Sequence, residues 1–198
     1  MSTRVREECE VGDLDPSAVL EAAVEAELAE RRAALRKLEL AAHWADLHPA
    51  THDTGVETFG GAALVADESL GGDGTPAVAA FTPEPFALAL GMSPSAGAQL
   101  IADALDLRHR LPMLWKRLSR LEVPAWQARR VARQTHRLSK AAAIWVYEHL
   151  ADRSTCGPVV VDRLVAHAIA AYDPARHAER EARARKQTWR SSVMPAEG

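Results

Sequence analysis

Residues 85–150 read PFALALGMSPSAGAQLIADALDLRHRLPMLWKRLSRLEVPAWQARRVARQTHRLSKAAAIWVYEHL, helical by period and cut at short intervals by proline and glycine. Proline suits the first position of a helix. Inside one it removes a hydrogen bond and clashes with the preceding turn. Only short helices fit between such marks. A first helix is expected at about 85–90, closed by Gly91, and Ser93 with Pro94 opens a second that runs to about 110. Pro112 forces a kink or a restart, so a third piece covers 112–121 and a fourth 124–137. Ser139 caps a fifth that reaches residue 151. Gly157-Pro158 introduces a sixth, whose buried face would hold Val161, Leu164, Val165, Ala168, Ile169 and Tyr172. Asp173-Pro174 starts a last, arginine-rich helix with almost no apolar stripe. No segment alternates convincingly as a strand would. The expected fold is all-α: a bundle of successive αα-hairpins.

Ahead of that block, Asp15-Pro16 is a helix start, and residues 16–48 are rich in Ala, Leu, Glu and Arg, all strong helix formers. Leu20, Val24, Leu28, Leu35, Leu38, Ala42 and Ala45 form one stripe, interrupted only by Arg31. This long amphipathic helix (15–48 with its cap) is expected to pack across the core, with residues 1–14 disordered before it. Residues 49–83 carry six glycines and no sustained period, which predicts a disordered or loosely packed loop, held down locally at most around 56–65. Residues 84–190 would be the helical domain proper, and 191–198 a tail.

Hydrophobic residues at 47% and charged residues at 26% are enough to bury one core. The two cysteines, Cys9 and Cys156, exclude a disulfide framework and a cysteine zinc site, as suits a reducing compartment. The N-terminus has no apolar signal region, and no run approaches the roughly 20 apolar residues of a membrane span. A soluble cytoplasmic protein with no membrane partner is expected.

The net charge of −3 hides a polarity. Residues 1–83 carry 16 acids against 6 bases, and residues 84–198 carry 11 against 18. Nine bases meet the single acid Glu122 between residues 108 and 137. Arg130, Arg133 and Arg137 share a helical face, with Arg129 turned elsewhere and Trp126 and Val131 inward. Arg108, Arg110, Lys116, Arg117 and Arg120 would extend that surface, and the arginine-rich tail would add to it. Such a patch suits phosphate contacts, which give affinity without sequence information. The competing expectation is a solvated face, salt-bridged to Glu21, Glu25, Glu27 and Glu30 of the acidic helix.

Other constellations carry less. FALALGMSPSAGAQLI (86–101) has the small residue, turn glycine and cap of a helix-turn-helix, but Gly97 is a poor central anchor. Its second helix offers a groove only Ser95 and Gln99 before Asp103 and Asp106, too few donors for base reading. His43, His48, His52 and Asp53 are interrupted by Pro49, so a metal site is not expected there. Trp115, Trp126 and Trp145 lie on amphipathic helices and are expected in the core, while Trp189 stands in the basic tail. GGDGTP (71–76) lacks the lysine and the helix of a P-loop, and no nucleophile elbow, dinucleotide fingerprint or zinc-protease motif occurs. No cofactor is expected.

The phrases ALALGMSPSAGAQLIADALDLRHRLPMLW, VPAWQARRVARQT with the LS cap after it, and DPARHAEREARARK resemble the 13E12 repeat family, a domain of unknown function in actinobacterial proteins. The resemblance spans residues 81–190. In many relatives an HNH nuclease module follows; none is expected here before Gly198, so the resemblance supplies no catalytic residue and suggests a short or truncated member. It implies a nucleic-acid-binding or nuclease-associated accessory domain, not an enzyme by this chain alone. DNA, a nuclease partner or a second copy would be its partners. A protein-interaction or oligomerisation module is the alternative.

Overall fold

The computed structural model describes residues 11–50, 68–151 and 158–172. Among these residues the fold is all-α, with seven α-helices, a short 3-10 turn at Val11–Asp13 and no strand. Two isolated bridges, Pro49 to Val78 and Glu68 to Val78, are the only β-type pairings there.

Asp15 caps α1 (Pro16–Leu47), its Oδ1 accepting from the amides of Ser17 and Ala18, and Pro16 occupies the first turn. α2 (Pro83–Ala89) starts two residues earlier than its sequence marks suggest and is closed by Gly91 at φ +65°, a left-handed conformation that glycine tolerates. Ser93 caps α3 (Pro94–His109) through the Ala96 amide. Pro112 restarts the chain as α4 (Pro112–Ser119), and α5 (Ala125–Thr135), α6 (Lys140–Ala151) and α7 (Pro158–Tyr172) follow. The arginine-rich helix expected from Asp173, and Trp189 with it, lie outside the described residues.

α3 is the hub, packed against α1, α2, α4 and α5, and every residue from 100 to 107 is buried. The α2–α3 crossing depends on Gly97. A Cβ there would stand 2.6 Å from the Cβ of Ala87 and 3.2 Å from the carbonyl oxygen of Pro83. What reads as a poor anchor in sequence is thus the residue that lets the two helices touch.

The stripe on α1 is only half used. Leu38, Ala41, Ala42 and Ala45 are buried, whereas Leu20 and Val24 are 70% and 61% exposed. A 32-residue helix is about 48 Å long at 1.5 Å per residue, and the hub spans only its second half.

Loose packing is not what residues 68–82 show. Val78 is buried in the core, Thr82 is buried, and the indole of Trp44 donates to the Thr82 carbonyl at 2.8 Å. Two hydrogen bonds join Val78 to Glu68, and the amide of Gly72 reaches α3. The segment 56–65 lies outside the described residues.

Of the tryptophans, Trp115 and Trp145 are partly buried against the core, Trp145 stacking on His167 with ring centroids 5.1 Å apart. Trp126 is 69% exposed, contrary to its expected inward turn. Its neighbours Ala125 and Ala128 take the inner face of α5, and a helix cannot turn 126 the same way. Tyr172 is likewise exposed at the end of α7, while Val165, Ala168 and Ile169 are buried as expected and Leu164 is partly buried. The side chain of Val161 lies outside the described ones.

Candidate interaction surfaces

The eight basic residues expected to face a nucleic acid divide sharply. Arg110 is removed from the set: it is fully buried. Its Nη1 donates to Asp106 Oδ1 and to the His136 carbonyl, both at 3.1 Å. Its Nη2 donates to the carbonyls of Thr135 at 2.9 Å and Leu138 at 2.5 Å. These carbonyls lie at the end of α5 and in the turn after it, and that of Thr135 also accepts from the Leu138 amide at 2.9 Å. The guanidinium therefore caps another helix from inside the core, with its positive charge at the negative end of that helix's dipole.

Asp106 completes the arrangement. Its Oδ1 also accepts from the Gly72 amide at 2.7 Å, and its Oδ2 from Nδ1 of His136 at 2.8 Å. Three sequence-distant pieces thus meet on one buried Asp–Arg pair: the Gly72 turn, α3 and the end of α5 with the turn after it. The glycine turn is fixed again by Asp73, whose carboxylate accepts from the Lys140 amide at the start of α6, and by Thr75, whose hydroxyl donates to the Gly72 carbonyl. GGDGTP is a structural staple.

One turn earlier on α3, the buried Asp103 accepts from Arg129 Nε at 2.7 Å and from Arg133 Nη2 at 3.0 Å. Gln99 donates to the same carboxylate at 2.9 Å. Arg129 and Arg133 therefore point together, not apart, and Arg133 leaves the face assigned to Arg130 and Arg137. Arg108 pairs with Asp46 of α1 at 2.5 Å, while Arg117 and Arg120 both approach Glu122. The acids that neutralise the patch are mostly Asp103, Asp106 and Glu122; Glu27 pairs with Arg31 on its own helix. The side chains of Lys116, Arg130 and Arg137 are exposed and make no ion pair or hydrogen bond among the described residues.

The would-be recognition helix of the helix-turn-helix reading is α3, enclosed from residue 100 to 107, and its exposed first turns offer only Ser95 and Gln99. No group of three or more potential metal ligands occurs among the described residues. His48 Nδ1 donates to the Trp44 carbonyl at 2.8 Å, and His43 is exposed. His52 and Asp53 lie outside the described residues.

Among the described residues His109 has its pKa displaced below the usual histidine value. Burial lowers it, the charges of Arg108 and Lys140 lower it further, and Asp46 opposes them. Its Nε2 is buried with no partner. Because the folded pKa lies below the unfolded one, the unfolded chain takes the proton first. Stability falls as pH drops below about 6.5, the free histidine value. Urea midpoints at about pH 7.5 and about pH 5.5 are expected to differ more for the native chain than for His109→Gln. An equal loss in both would mean that this ring is not the titrating group.

A second surface is apolar. A groove of about 250 Å³ runs between α1, the Met92 turn and the start of α5. Leu38, Leu100 and Met92 lie along it, and Trp126 stands open at its edge. Glu27, Glu30, Arg31, Lys37 and Arg129 supply its charges. The uncovered residues Leu20 and Val24 continue the same α1 stripe upstream. Sequence reasoning marked these stripe residues but placed them under the core. No described helix is long and apolar enough to cross a membrane.

No family model, curated protein or solved structure matches this chain.

Proposed function

We propose that this chain is a non-catalytic helical interaction module, acting through the uncovered half of α1 and the groove beside Trp126. One observation carries the reading: a single apolar stripe on α1, buried from Leu38 onward, continues bare through Val24 and Leu20 beside an open tryptophan. Exposed contiguous apolar surface rimmed by charge is characteristic of docking sites, and tryptophan is enriched at binding hot spots. An amphipathic helix lying along a groove is the recognition mode that fits this shape. Attachment to a nuclease partner is one use such a module would serve.

The nucleic-acid reading is weaker because only Lys116, Arg130 and Arg137 of the eight candidates remain uncommitted. At about 0.9 per neutralised phosphate, three such contacts from the helical patch would contribute a salt slope of about −2.7 on duplex DNA, whereas all eight would contribute about −7. A slope near the larger value would restore DNA as the partner.

Selection from a displayed library of helical peptides tests the docking reading. Enriched sequences are expected to carry apolar anchors at i, i+3 or i+4, and i+7, and to lose binding to Trp126→Ser. Enrichment of nothing, or of helices indifferent to Trp126→Ser, would remove it.

A further inference from the structure

Along α1 the charges are segregated. Residues 16–30 carry Glu21, Glu25, Glu27 and Glu30 and no base. Residues 31–37 carry Arg31, Arg32, Arg36 and Lys37 and no acid. The apolar stripe of Leu20, Val24, Leu28 and Leu35 crosses that boundary. Glu21, Glu30, Arg32 and Lys37 are exposed and form no ion pair among the described residues. A helix with one acidic half, one basic half and a common apolar edge is complementary to itself reversed.

We infer that the groove beside Trp126 and the bare half of α1 are occupied by a second copy of this chain, the two α1 helices antiparallel about a two-fold axis at the Glu30–Arg31 boundary. The inference rests on the docking reading above and names its partner. A two-fold interface makes every contact twice, so Leu20 and Val24 of each copy lie against the α1 basic half and groove of the other. The antiparallel sense sets acids against bases; the parallel sense sets like against like, which is costly. An anionic lipid surface is disfavoured as occupant, because the bare half carries four glutamates and no lysine or arginine.

The full chain is tested by sedimentation velocity from about 1 to about 100 µM, the range in which a micromolar equilibrium shows. The expected result is a shift from a 21.5 kDa species to one of twice that mass. Leu20→Gln/Val24→Gln should weaken association at least tenfold and leave the melting temperature of the dilute chain unchanged. Glu21→Lys/Glu30→Lys and Arg32→Glu/Lys37→Glu should each be monomeric alone and associate when mixed. In a Cys9→Ser/Cys156→Ser background, Arg31→Cys, on the apolar edge at the axis, should cross-link on oxidation. Leu20→Cys should not, since twenty-one residues of rise put its two copies about 32 Å apart, far beyond disulfide reach.

A chain monomeric throughout overturns the inference, as does a dimer indifferent to these substitutions. Equal cross-linking at both positions is the parallel outcome and also overturns it. A dilute Leu20→Gln/Val24→Gln chain that melts early would show that its own chain covers the stripe, which overturns it too. A monomer that still captures displayed helices leaves the docking reading standing, whereas one that captures none removes both.

Discussion

Asp106→Ala is expected to cost the fold about 3–5 kcal/mol, the range for removing one partner of a buried ion pair. Asp106 and Arg110 are both essentially inaccessible to water, so the loss strands a guanidinium in the core. It also frees the Gly72 amide and the His136 ring, which bond to the same carboxylate at 2.7 and 2.8 Å. Arg110→Met should be comparably damaging for a different reason: the carbonyls of His136 and Leu138 lose the guanidinium as donor, and that of Thr135 keeps only the Leu138 amide. For that reason the double substitution Asp106→Leu/Arg110→Met is not expected to recover stability, although isolated buried pairs often can be replaced by apolar residues. Total stabilities of domains are about 5–15 kcal/mol, so each single change should move the urea midpoint severely. A loss below about 1 kcal/mol would mean that water enters and serves these groups, and the capping account would fall.

Gly72→Ala is expected to be the most damaging methyl addition among the described glycines. Its Cβ would stand 2.1 Å from Arg110 Nη1 and 2.3 Å from the His136 carbonyl oxygen. The guanidinium cannot retreat, because two further carbonyls hold it, and the second obstacle is backbone. Overpacking of this kind costs about 1–3 kcal/mol, and more where the neighbours are pinned. Gly12→Ala is the control, since a Cβ there meets nothing within 4 Å. Equal urea midpoints for the two variants would show that the turn is not seated on Arg110.

The helix boundaries were legible because their marks are local chemistry. Ser93 and Asp15 cap as their side chains suggest, and Pro112 restarts the helix it forbids. The buried network was not legible, because its partners at 72, 106, 110 and 135–138 come together only in three dimensions. One signal was available: Asp103 and Asp106 interrupt LIADALDL, a stretch otherwise apolar around the whole helix, and Arg110 follows four residues after Asp106. Acids inside such a stretch must be buried, and buried acids need cations; counting Arg129 and Arg133 as their partners would have reduced the basic face. Trp126 was misplaced because size was taken as evidence of burial, while small Ala125 and Ala128 hold the inner face. For α1, periodicity correctly located the apolar edge but carries no information on how far along the helix the hub extends.

The Asp106–Arg110 pair also sets how the molecule comes apart. Lifting the 71–75 turn away from α3 uncovers a carboxylate and a guanidinium at once, and unfastens the ends of α5 and α6 with it. Opening of that turn therefore has no inexpensive local route, unlike that of an ordinary surface connection. The Gly72 amide belongs to the same cooperative unit as the hub helix. Its deuterium exchange should proceed through the global transition, at the pace of the slowest amides of α3.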